Sequence, residues 1–231
     1  MVSTERGQIA MVRSSAETKT RIVKAAYALF WRHGFVRASL DDIAEHANVT
    51  KRTLYQHFRS KDDLMAVVLA EASALGVERV QRYFEGPPET ADTIIDAMFT
   101  ELIEWASRPH WAGTGFTRVA FELADFPGHP ARAIARHHKT SMESLCADLF
   151  DRAGVASPVD RARQVMLVWE GAVTLMLVHG DRSYVEAAAK AAKQFIGVPR
   201  ERPASIPSRR NSGGNSRKHH AAGGIKAASP R

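Results

Sequence analysis

Three times between Ser14 and Asp63 a serine is followed three places later by an acid: Ser14-x-x-Glu17, Ser39-x-x-Asp42 and Ser60-x-x-Asp63. In such a box the two side chains satisfy free N–H groups at the start of a helix. Helix starts this close together leave room only for short helices. Behind each start, apolar residues recur at helical spacing: Ile22, Ala25, Ala26, Leu29 and Phe30 in the first, then Leu40, Ile43, Ala44 and Ala47. Gly34 falls where a helix end takes a left-handed residue. Asn48 falls in the turn before Thr50, and Asn tolerates left-handed φ better than other non-glycine residues. Thr50 caps a further helix that turns Leu54, Tyr55 and Phe58 inward. Helices are therefore predicted over 14–33, from Ser39, from Thr50, and from Ser60 to about Phe84. The first three and the start of the fourth pack into one small core.

Gly86-Pro87-Pro88 is a clear break. Beyond it the apolar spacing predicts helices over about 90–107, 116–124, 131–153, 159–178 and 183–196, punctuated by Pro109, Gly113, Gly115, the Phe126–Pro130 turn, Gly154 and Gly180. No strand alternation and no Gly-rich phosphate loop interrupts them. The fold class is all-α: a mobile extension at 1–13, a helix-turn-helix domain at 14–62, a second helical domain at 63–197, and a tail at 198–231. The tail is rich in Pro, Gly, Ser and Arg and has two bulky aliphatics after Pro199, too few to offset ordering entropy, so it is predicted to be disordered.

Charge separates along the same boundaries. Residues 13–61 hold ten Lys/Arg against four Asp/Glu, a net +6; residues 62–197 net −6; the tail nets +7. A basic end on an acidic body suits a module that binds a polyanion, joined to a domain that does not. One cysteine, Cys146, excludes an internal disulfide and fits a reducing, cytoplasmic compartment. The N-terminus has no apolar core of a signal peptide. The longest apolar run, Val165 to Val178, is 14 residues and contains Glu170, against the ~20 residues a membrane span needs. No membrane partner is expected.

The helix beginning at Thr50 carries the functional signal. A helix-turn-helix lays its second helix in the major groove while the first braces against the backbone. The outward residues here are Thr50, Lys51, Arg52, Thr53, Gln56 and His57. Arg or Lys can reach guanine O6 and N7, Gln can reach adenine, and a Thr methyl can touch thymine. Ser39, Tyr55, His57 and Lys61 carry groups suited to phosphate oxygens, and Lys61 lies in the first turn of a helix, where free N–H groups attract phosphate. The pattern alone also fits an ordinary amphipathic surface helix.

Arg21-Ile22, Ala25-Ala26, Leu29-Phe30, Gly34-Phe35, Ser39, Ile43-Ala44, Ala47, Val49-Thr50, Thr53-Leu54-Tyr55, His57-Phe58, Ser60-Lys61 and Leu64 stand at fixed spacing, without a gap. Over about residues 15–68 this resembles the N-terminal domain of TetR-family transcriptional regulators. The resemblance implies a three-helix DNA-binding domain, a fourth helix leading into an all-α ligand-binding and dimerisation domain, and a palindromic or nearly palindromic operator in double-stranded DNA. Two positions depart from the pattern. Asn48 stands where the family often has Gly. Arg52 stands where Gly or Ala often follows the Lys, and the larger side chain can add a base or phosphate contact.

The helix over 159–178 is apolar nearly all round, with Leu167, Gly171, Thr174, Leu175 and Val178 on one side. A helix like that is buried on both sides. The last helix carries Val185, Ala188, Ala189, Ala192 and Phe195. Such a pair fits the core of a monomeric bundle. With a second copy it forms the four-helix homodimer interface that the resemblance implies, which sets two recognition helices about 34–36 Å apart, one DNA turn. The resemblance also implies a small-molecule effector, not identified by the sequence, inside this body. Met98, Leu102, Trp105, Phe116, Phe121, Met142, Leu145, Cys146, Met166, Trp169 and Val173 are the residues expected around it; all would equally suit a helical core. Glu170, an acid in an apolar run, either pairs with an arginine such as Arg118 or Arg163 or faces the cavity.

Other functions find less support. His137 and His138 are adjacent and point about 100° apart on a helix, a poor chelate. No nucleophile stands with a base, so neither catalysis, a metal nor a cofactor is expected. The tail's Arg209, Arg210, Arg217 and Lys218 permit a rival reading, a general nucleic-acid binder driven by phosphate contacts.

Overall fold

The computed structural model describes the backbone of residues 2–82, 85–86 and 90–197, with side chains from residue 14 onward. Nine α-helices make up these described residues: α1 (Val2–His33), α2 (Leu40–His46), α3 (Lys51–His57), α4 (Lys61–Gln81), α5 (Ala91–Ala106), α6 (Gly115–Glu122), α7 (Pro130–Arg152), α8 (Pro158–His179) and α9 (Ser183–Ile196). None is long and apolar enough to cross a membrane. The tail and the Pro-rich part of the Gly86 break lie outside the described residues.

Local chemistry sets most helix ends. The Oγ atoms of Ser39, Thr50, Ser60 and Thr90 each accept the N–H three residues on, and at Ser39 the Asp42 carboxylate answers back to the cap N–H. Asn48 adopts φ 52°, which sharpens the α2–α3 turn, and Gly34 ends α1 at φ 101°. Two boundaries differ from expectation. Helix α1 does not begin at Ser14. It runs through from Val2, and the Ser14 carbonyl instead accepts the Thr18 hydroxyl within the helix at 2.8 Å. No proline precedes Ser14, so nothing stops the helix from continuing past a box that would otherwise start one. Helix α4 ends at Gln81, capped by Arg82, three residues short of Phe84.

Two cores hold the chain. The first joins Ile22, Ala26 and Phe30 of α1, Ile43 of α2, Leu54 and Phe58 around α3, and Leu64, Val68 and Leu69 of α4. It does not close at residue 62: Phe116 and Val119 of α6, Leu123, and Ala131 and Ala135 of α7 complete it. The second joins α5, α7, α8 and α9 through Ile95, Phe99, Phe150, Val165, Ala172, Val185 and Ala192. Helix α7 contributes to both cores, and α6 packs in the first beside it. Tyr55 departs from its predicted inward position. On this seven-residue helix Leu54 and Phe58 occupy the buried stripe, and Tyr55, about 100° round from Leu54, is 47% exposed.

Candidate nucleic-acid interface and ligand cavity

Helix α3 presents its polar side to solvent. Lys51, Arg52, Tyr55 and Gln56 are exposed, and Thr53 and His57 are half-buried. Leu54 and Phe58 anchor the helix from behind at full burial. The cap fixes its start: Thr50 Oγ1 accepts Thr53 N–H at 3.0 Å, and the two threonine hydroxyls lie 2.8 Å apart. Lys51 Nζ sits 2.7 Å from Asp41 on α2, and that hydrogen bond holds its pKa above the ordinary lysine value. Both groups are exposed, so solvent screens the pair and a phosphate can replace the aspartate. Among the described residues, Arg52 and Gln56 make no side-chain hydrogen bond or ion pair within the chain. Lys61 is less free: its ammonium donates to the Val36 carbonyl at 2.7 Å, and burial lowers its pKa. It braces the α1–α2 loop. Ser39 and Asp42 hold the start of α2, and the Ser39 bonds keep the Asp42 carboxyl below its usual range.

Deeper in the chain, α1, α4, α5, α6, α7 and α8 enclose a cavity of about 250 Å³. The structure brings Met98, Leu102, Trp105, Phe116, Met142, Cys146, Met166 and Trp169 together around it. On α7 the lining stripe is His138, Met142, Cys146 and Leu149, so Leu145 is turned away by one residue. Phe121 is 74% exposed on the outer side of α6 and takes no part. Val173 is buried instead beside the Gly113 loop. Glu170 also leaves the cavity. It pairs with Lys139 and accepts the Thr117 hydroxyl at 2.8 Å, facing a neighbouring groove. Neither expected arginine is its partner, because Arg118 is held by Glu122 and Arg163 by Glu143.

Several lining residues escaped the sequence reading. Tyr27 and Trp31, stacked at 4.3 Å, bring α1 itself to the cavity wall. Their i, i+4 spacing on a face other than the Ile22–Ala26–Phe30 stripe is the signal that marks them. His138, 8% exposed, stacks on Phe116 at 3.7 Å, and its Nδ1 lies 2.9 Å from the Ser73 hydroxyl on α4. Burial, aided by the positive Lys139 and by His137, lowers its pKa to about 4. An unfolded histidine titrates near 6.5, so between pH 6.5 and 4 the unfolded chain binds the proton and the folded one does not. Stability is thus fully present above pH 6.5 and falls with pH toward 4, by at most about 3 kcal/mol from this residue. Urea unfolding across that window shows the loss, and His138→Phe shallows it.

Cys146 is the opposite case to a reactive thiol. Burial first, then the charge of Glu143, pushes it up to about 12. Since the thiolate is the nucleophile, iodoacetamide at pH 7.5 leaves Cys146 unmodified in the folded protein and alkylates it in urea, as read by intact mass.

One short helix spans both regions. Thr114, Gly115 and Phe116, at the start of α6, line the cavity. Further along, Arg118 donates through Nε to Glu122 at 2.7 Å and through Nη1 to the Trp31 carbonyl at 2.7 Å. Glu122 Oε2 accepts the Val36 N–H at 2.8 Å. The carboxylate lies so close to Gly34 that a Cβ there would sit 2.6 Å from Oε1. Position 34 therefore needs glycine twice over, for its φ and for this approach.

A family model described as "Bacterial regulatory proteins, tetR family" matches residues 22–68. The HTH-type transcriptional regulator TtgR of Pseudomonas putida is 42% identical over 53 residues, 23% of this chain and 25% of that protein. The HTH-type transcriptional regulator YjdC of Escherichia coli is 24% identical over 176 residues, 76% of this chain and 91% of that protein. The chain thus spans a quarter of the length of the first relative and most of the second. Among solved structures, SCO4454, a TetR-family transcriptional regulator from Streptomyces coelicolor, superimposes with a TM-score of 0.70 at 22% identity, covering 79% of this chain and 95% of that one.

Proposed function

We propose that the chain, whose residues 22–68 match the tetR family model, is a sequence-specific transcriptional repressor of that family, binding a palindromic operator as a homodimer and released by a small molecule. The observation that carries this reading is α6, which touches the cavity at one end and the α1–α2 loop of the DNA-binding half at the other. A molecule entering the cavity presses on Gly115, Phe116, Tyr27 and Trp31. Any shift of α6 relative to α1 then passes through Arg118 and Glu122 to the loop that precedes α2 and α3. Helix α4 adds a second path, since its start packs in the first core and its later turns line the cavity. A ligand that prefers the shifted arrangement draws the population away from the spacing the operator requires.

Pairing rests on α8 and α9. Leu167, Leu175 and Val178 of α8 are exposed beside Gly171, an apolar stripe that a second copy would bury. Its twofold axis places two α3 helices on successive turns of one DNA face. We place the protein in the cytoplasm, on the nucleoid when DNA-bound.

Removal of residues 198–231 separates this reading from binding driven by the basic tail. Specific retention of genomic fragments survives the truncation with a shallower salt dependence. Loss of all DNA binding would place the activity in the tail.

A further inference from the structure

We propose that the cavity takes a flat aromatic molecule without a negative charge, carrying one hydrogen-bonding group, which meets Nε2 of His138. The inference rests on the reading of this cavity as the effector site and adds the ligand's chemical class.

Shape comes first. The cavity, about 250 Å³, lies at the small end of ligand pockets. Its walls are built from paired rings. Tyr27 stacks on Trp31, Phe116 on His138, and the Trp105 and Trp169 indoles lie 9° from parallel with centroids 6.4 Å apart. Rings already stacked on one face offer the other face, or an edge, to a planar guest. Two fused rings are the size such a space admits.

Charge comes second. Lys139 reaches the cavity, but Glu170 already neutralises it from the groove side. Arg79 is exposed, so it remains solvated and sets no demand on the interior. Glu101, half-buried, also lines the cavity, so an anionic guest would meet a carboxylate and no uncommitted cation, and nothing inside would offset its desolvation.

The hydrogen bond comes third. His138 is more than nine-tenths buried and lines the cavity. Its Nδ1 is engaged by Ser73, while Nε2 has no partner among the described residues. A guest that covers Nε2 without bonding to it leaves a polar atom buried and unmade, so a guest with a matching group is favoured. A hydroxyl on the guest can donate or accept, and so satisfies Nε2 in either tautomer.

The test uses the full chain without DNA, so it stands or falls separately from operator binding. Tryptophan fluorescence is titrated with 2-naphthol, naphthalene, 2-naphthoate and decahydro-2-naphthol. We expect 2-naphthol to bind at least tenfold more tightly than each of the others. His138→Phe keeps the ring stack and removes the nitrogen; it should cost 2-naphthol about tenfold and leave naphthalene unchanged. Met142→Trp, which fills the space without touching the imidazole, should abolish binding of both. Equal binding of a charged or the saturated probe, the same 2-naphthol affinity in His138→Phe, or no binding of any probe would overturn the inference.

Discussion

Replacing Arg52 with alanine lowers operator affinity about thirty- to twenty-thousand-fold and leaves the thermal midpoint where it was. Arg52 stands at the start of α3, is exposed and makes no side-chain hydrogen bond or ion pair among the described residues. Its loss from the folded monomer therefore falls in the ±0.5 kcal/mol range of ordinary surface changes. Bound to DNA, an arginine on the groove-facing side of a recognition helix is worth about 1–3 kcal/mol against a guanine edge. A homodimer uses the residue twice, which doubles the loss to about 2–6 kcal/mol. Anisotropy titrations at one fixed salt concentration measure the affinity, and calorimetry checks the midpoint. Lys51→Ala makes a useful contrast, because its ammonium already has Asp41 as a partner. Its effect should be smaller and nearly uniform across DNA sequences, with a lower salt slope.

Replacing Glu122 with alanine lowers stability by about 2–3 kcal/mol and disconnects cavity from operator. This carboxylate answers two groups at once. Without it, Val36 N–H loses its acceptor, and the half-buried guanidinium of Arg118 loses its counter-charge while still held at the Trp31 carbonyl. For a chain of this size the midpoint falls by roughly 5–10 °C. The functional outcome is more telling. Affinity for operator in the absence of effector changes little, but the affinities with and without effector converge. Amide exchange at Val36 should quicken in step. If effector still releases the Glu122→Ala protein as fully as the wild type, the link runs through α4 alone.

Where the physics is local, the sequence was legible. Ser39, Thr50 and Ser60 each cap with atoms three residues away, and Asn48 needs only its own side chain to tolerate φ 52°. The same local rule misled at Ser14, since a capping box is sufficient to start a helix but does not stop one already under way. Tyr55 misled for a related reason. Aromatic character suggested core, while the 100° step from Leu54 sends the side chain to solvent. The cavity was legible only by residue type. Helical spacing separates Met142 and Cys146 from Leu145 once the His138 stripe is known, but nothing in α7 alone says which stripe faces the cavity. The partner of Glu170 depends on where α7 lies against α8. Lys139 is 31 residues away, and the two expected arginines, Arg118 and Arg163, are committed to other acids. The same holds for Tyr27 and Trp31, whose role in the cavity depends on α6 crossing α1 at Gly115, where a Cβ would meet the Trp31 ring at 2.2 Å.

The central claim is that α3, presented twice by a symmetric pair of chains, reads DNA sequence. Selection of bound DNA from a random pool, mixed with fragments of the native genome, tests it most directly. The account predicts an inverted repeat whose half-site centres lie one helical turn, or a whole multiple of it, apart, with a base preference in each half-site that relaxes in the Arg52→Ala protein. Recovery of sequences without an inverted repeat, or of the same repeat at the same strength with Arg52 removed, would contradict it.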